Sequence, residues 1–148
     1  MIHKSRFLFF SFLAVLCLAS CAGKFGSEVL TSPDEYRHVY EAKEKYILKA
    51  VAGVLEEKKI GRNVAIDYDN NRVDSDFMIS GDWRTKTNAR VKRINWKECE
   101  VTLIVTTEKK TETGWEMRRL LQKEQYDTFF SVIELKVYEE MSRITAVQ

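Results

Sequence analysis

The chain has 148 residues, with 24 Lys plus Arg against 22 Asp plus Glu and a formal net charge of +2. Such a balance leaves no basic footprint of the kind that nucleic-acid binding needs. The length allows one domain with a single modest core.

The first segment reads as an export signal, with positive charge at Lys4 and Arg6 followed by the apolar run "FLFFSFLAVLCL" from Phe7 to Leu18. The run is shorter than the roughly 20 apolar residues a bilayer span requires. Leu18, Ala19, Ser20 and Cys21 then resemble the bacterial lipobox, a leucine and two small residues before an obligatory cysteine. That resemblance implies acylation of the Cys21 thiol, cleavage between Ser20 and Cys21, and a lipid anchor in the membrane. The alternative is an ordinary signal peptide or a membrane-anchoring segment that contains a cysteine. Ala22 follows the cysteine where aspartate would imply retention in the inner membrane, so the expected location is the periplasmic face of the outer membrane.

Cysteine usage agrees with this reading. Cys17 leaves with the signal 1–20, Cys21 is acylated, and Cys99 stands alone, so no intramolecular disulfide is expected. Removing the signal takes Lys4 and Arg6 and no acid, which leaves 22 basic against 22 acidic residues in a neutral mature chain. Residues 21–32 read as the lipidated cysteine and a tether, "AGKFGSEVLTS", that reaches about 36–40 Å when fully extended. Residues 33–148 form one domain.

The domain opens at "SPDE", where Ser32 as cap, Pro33 at the first position and Glu35 as the capping-box acid predict a helix to about Lys58. Its apolar stripe would be Tyr36, Val39, Tyr40, Ile47, Ala50, Val51 and Val54, and Gly61 would stop it. From Asn63 the period changes to two. Val64, Ile66 and Tyr68, then Val73, Phe77 and Ile79, alternate with polar neighbours, and "WRTKTNARVKRINW", "CEVTLIVTTEKK" and "GWEMRRLL" continue an antiparallel meander of four or five strands. A closing helix from about Lys123 to Ile144 presents Tyr126, Phe129, Phe130, Ile133, Val137 and Met141 on one side. The expected fold is α+β, helix, meander, helix, with both helices on one face of the sheet.

Three groups of residues invite a functional reading. "DYDNN", with Asp67, Asp69 and Asn71, matches the opening of a calcium loop, but Arg72 stands where that loop needs glycine and Met78 where it needs glutamate; a polar hairpin turn accounts for the same residues. On one strand Arg84, Lys86, Arg90 and Lys92 share parity, so they point to one face, either as a docking surface for an anionic partner or as a salt-bridged surface neutralised by Glu98, Glu100 and Glu108. The aromatic residues, including Trp83, Trp96, Trp115 and Tyr138, are numerous enough to line a cavity or an interface as well as a core. His38 and Cys99 read as structural residues. No phosphate-binding loop, nucleophile elbow, dinucleotide fingerprint or paired metal motif is present, and no catalytic residue, metal or cofactor is indicated.

The order of elements resembles the helix-grip domains of the lipoprotein C subunit of the outer-membrane β-barrel assembly machinery. The resemblance is carried by the lipobox, the "SPDE" helix, the strands "DWRTKTNARV" and "CEVTLIVTTEKK", and the closing "YDTFFSVIELKVYEEM". It implies architecture and no functional residue; that family carries a pair of such domains, whereas this chain has one. The expected function is a non-catalytic binding or assembly module at the cell envelope, with an envelope protein as partner and no nucleic acid. The alternative is a carrier that grips a small apolar or lipid ligand between helices and sheet.

Overall fold

The computed structural model describes Gly26 and residues 28–145. Residues 1–20, read as a signal, Cys21, and the first part of the expected tether lie outside the described residues. The elements are β1 (Asp34–Tyr40), α1 (Glu44–Glu57), β2 (Arg62–Asp67), β3 (Arg72–Asp76), β4 (Met78–Ser80), β5 (Trp83–Arg93), β6 (Cys99–Thr111), β7 (Gly114–Met117) and α2 (Lys123–Thr145). All seven strands form one antiparallel sheet, in the order β1-β6-β5-β3-β2, with β4 beside β5 and β7 beside β6. Both helices pack on one face, so the chain is an α+β sandwich of two layers. No helix among the described residues is long and apolar enough to cross a membrane.

The core follows the two periodicities. Val101, Leu103 and Val105 of β6 and Ala89 and Val91 of β5 point to the helices and meet Ile47, Val51, Val54 and Leu55 of α1 and Tyr126, Phe130, Ile133 and Val137 of α2. The closing helix keeps the stripe expected from its sequence.

The opening segment does not form the expected helix. Residues 34–40 are a strand, and the first helix begins eleven residues later than "SPDE" suggests. Tyr36, His38 and Tyr40 fall at period two and turn toward α2: Tyr36 stacks on Tyr126 at 3.6 Å between ring centroids, His38 lies 5.2 Å from the Phe130 ring, and the Tyr40 hydroxyl donates to the Phe130 carbonyl at 2.9 Å. Pairing with β1 also closes a long edge of β6, from Asp34 opposite Val105 to Tyr40 opposite Cys99. Backbone pairing along seven residues and the burial of Tyr40 outweigh a capping box of about 1 kcal/mol. The true N-cap of α1 is Lys43, which makes no side-chain cap bond.

The other end of α1 also differs from expectation. Lys59 takes the left-handed conformation at φ +53°, its N–H donates to the Glu56 carbonyl at 3.2 Å, and the Ile60 N–H donates to the Leu55 carbonyl at 3.1 Å. This is a Schellman stop, built without glycine. Gly61 serves close approach instead, since a Cβ there would lie 2.2 Å from Ser75 Oγ.

Between β3 and β4 the register against β5 slips by one residue: Val73 faces Ala89, whereas Met78 faces Thr85. Ser75 bridges the break, its hydroxyl accepting from the Thr87 N–H (3.1 Å) and donating to the Thr87 carbonyl (2.9 Å). A slip of one residue exchanges faces. Val73 therefore enters the core while Phe77 and Ile79, which share its parity in sequence, lie on the opposite face.

Candidate functional site

The sheet face opposite the helices carries the four basic residues, each facing away from the core. Opposite them on β6 stand Glu108, Thr106, Thr102 and Glu100 for Arg84, Lys86, Arg90 and Lys92 respectively. Arg84 is held on three sides: its guanidinium pairs with the Glu108 carboxylate and lies 4.3 Å from the Phe77 ring and 4.4 Å from the Trp115 ring. Arg90 reaches across β6 to Glu35 at 3.3 Å, and Lys86 Nζ lies 4.9 Å from the Phe77 ring. Among the described residues no ion pair is formed by Lys86 or Lys92. Glu98 instead accepts from the Asn95 amide at 2.6 Å. The four side chains thus share a face but not an environment: two are paired with acids, one rests on an aromatic ring, and Lys92 stands opposite Glu100 without an ion pair among the described residues.

The "DYDNN" stretch is the turn of the β2–β3 hairpin. Asp67 accepts from the Asn70 side chain at 2.7 Å and from the Asn70 backbone N–H at 3.0 Å, and Asn71 sits at φ +51°. Those bonds hold the Asp67 carboxyl below its usual range. Cys99 is buried, and burial pushes its thiol up, away from the reactive thiolate.

The helix-covered face holds a feature that the sequence reading missed. β5, on which α1 packs, has 11 residues and extends about 36 Å, whereas α1 has 14 residues and is about 21 Å long. The sheet therefore outruns the helix. At the uncovered end the inward-facing residues change from Ala89, Val91, Val101 and Leu103 to Thr85, Thr87 and Thr107. Above them Tyr126 and Phe129 of α2, Ile60 after α1, and Leu120 and Leu121 before α2 enclose a cleft of about 260 Å³, mostly apolar, with exposed Lys59 and Gln125 at its rim.

The three hydroxyls of this floor are not equivalent. Thr85 Oγ1 donates to Thr107 Oγ1 at 3.4 Å, while Thr87 Oγ1 is buried with no hydrogen-bond partner among the described residues. Thr87 is 1 % exposed, and its backbone groups are engaged by Ser75. A buried hydroxyl without a partner costs about 1–3 kcal/mol. Burial raises the Tyr126 phenol well above its ordinary range, aided by Tyr36 and Asp34, so that wall stays neutral. The cleft can therefore accept an uncharged group with one hydrogen-bonding function. The alternation of Thr85 and Thr87 opposite the basic parity was visible in sequence, but nothing local showed that the helix above would fall short.

No protein-family model matches the chain, and no curated protein matches it either.

Proposed function

We propose that this chain is a lipid-anchored, non-catalytic binding module of the bacterial cell envelope, attached through Cys21 and facing the periplasm from the outer membrane. Its binding site is the cleft between α2 and the sheet, and its ligand is a small, mostly apolar molecule bearing one hydroxyl or carbonyl. A single observation carries this reading: an apolar cleft with Thr87 in its lining, whose buried hydroxyl has no hydrogen-bond partner among the described residues. An apolar cavity of about 150 Å³ is enough to hold benzene, so about 260 Å³ admits a larger group. The lipobox, with Ala22 after the cysteine, supports the anchor and the location. A protein partner in envelope assembly is the second reading. It is favoured by the Ile94–Glu98 turn, which Asn95 braces through bonds to the Lys97 and Glu98 N–H groups and which presents Trp96 at 82 % exposure.

The test uses N-phenyl-1-naphthylamine, a neutral apolar probe whose emission rises on leaving water. Wild-type protein should enhance its emission saturably, Val105→Phe should weaken that binding at least tenfold by filling the cleft, and Trp96→Ala should leave it unchanged. Equal binding by the wild type and Val105→Phe would remove the cleft as the site.

A further inference from the structure

The point at which the chain enters the domain sets how the domain stands on its membrane. Gly26 has φ +66°, and a Cβ there would lie 2.4 Å from the Trp83 ring, so glycine alone lets the chain rest against that indole. The following segment is fixed to the domain. Arg118 Nη1 donates to the Gly26 carbonyl at 3.2 Å, the Arg119 N–H to the Glu28 carbonyl at 3.0 Å, and the Leu30 N–H to the Met117 carbonyl at 2.9 Å. The Arg119 side chain also pairs with Glu28 and Asp34, both at 2.8 Å. The tether expected to run to residue 32 is therefore docked at Gly26 and from Glu28 onward. From Cys21 to Gly26 the chain advances five residues, which span at most about 16–18 Å.

We infer that the Trp83 end of the sheet lies on the anionic phospholipid headgroups of the membrane that holds Cys21, and that the Ile94–Glu98 turn points away from it. This rests on the lipid-anchor reading above. The maximum reach from Cys21 to Gly26 is the main argument, because it is too short to let the Arg93 end of β5 take the place of the Trp83 end at the surface. Along β5, Trp83 and Arg93 are about 33 Å apart, about twice that maximum reach. The surface chemistry agrees. Ile79 is 61 % exposed at this end, Lys110 is exposed, and Lys109 Nζ lies 5.6 Å from the Trp83 ring. Tryptophan beside lysine is the pairing that settles at headgroup depth, and lysines there are drawn to anionic lipid. The cleft, floored by Thr85 and Thr107 near the same end, would then open close to the lipid surface.

The experiment uses the full chain, processed in cells and reconstituted in vesicles of phosphatidylethanolamine and phosphatidylglycerol that contain a headgroup-nitroxide lipid. In Trp96→Cys protein the tryptophan emission comes from Trp83 and Trp115 alone. A fluorophore placed on residue 96 reports the far end, since Cys99 is buried and Cys21 is acylated. Quencher should lower the tryptophan emission at least twofold and the fluorophore by less than a tenth. Labelled palmitate is measured on the same preparation and on Cys21→Ser. Palmitate present with both reporters quenched alike, or neither, overturns the orientation alone. Unquenched tryptophans together with cross-linking of Lys109 and Lys110 to a protein chain also overturn it, assigning this end to a protein. Absence of palmitate from the wild type overturns the anchor reading and the orientation with it.

Discussion

Thr87→Val should make the ligand-free domain more stable. Both side chains are β-branched, so the rotamer cost of ordering is nearly the same, and the change exchanges a buried hydroxyl for a methyl group. The Thr87 hydroxyl has no partner among the described residues, and its side chain is 1 % exposed. Relieving an unsatisfied hydroxyl is worth about 1–3 kcal/mol, and the added methyl contributes up to about 0.8 kcal/mol more. Part of this is offset by imperfect packing against the cleft, which leaves an expected gain of about 1–2 kcal/mol. For a domain of this size that raises Tm by about 3–8 °C. Thr107→Val is the control, because it strips Thr85 of its acceptor at 3.4 Å and should gain less or lose. Urea titration and thermal unfolding of both variants, each freed of bound ligand, give the comparison. If Thr87→Val is less stable than the wild type by 1 kcal/mol or more, the hydroxyl has a partner and the reasoning about the cleft fails.

Two further outcomes test the packing and the electrostatics. Ile133→Ala removes a side chain with no exposed surface beneath α2 and should cost about 2–5 kcal/mol, whereas Glu134→Ala on the exposed side should stay within about 0.5 kcal/mol; similar losses in urea would detach α2 from the core. Arg93 grips Glu44 with two nitrogens, at 2.5 and 2.6 Å, and this holds the Glu44 carboxyl below its ordinary value of 4.5. A lowered carboxylate pKa contributes stability above about pH 4.5 that is lost as pH falls through the folded value, so Glu44→Gln should be less stable at pH 7 by no more than about 1 kcal/mol. The deficit should shrink toward zero between pH 5 and pH 3, and a constant deficit across that range would refute the assignment.

Local pattern was enough for several elements. The α2 stripe repeats over 23 residues, and β5 and β6 alternate over 11 and 13. The shared parity of Arg84, Lys86, Arg90 and Lys92 placed them on one face because strand geometry alone fixes it. The Asp67–Asn71 turn was equally legible, since asparagine and aspartate build such turns from their own side chains. Other features depended on partners distant in sequence. Residues 34–40 carry a helix-start signal, yet a free edge of β6 and the rings of Tyr126 and Phe130 made them a strand. Phe77 and Ile79 changed face through a one-residue slip against β5, which no alternation within β3 and β4 can reveal. The cleft arose because α1 is shorter than β5, on which it packs, and the segment at Gly26 docked because glycine there lets the chain lie against Trp83. Periodicity is a property of one segment and is written in its residues, whereas register, edge pairing and the mismatch of layer lengths are relations between segments and exist only once the chain has packed.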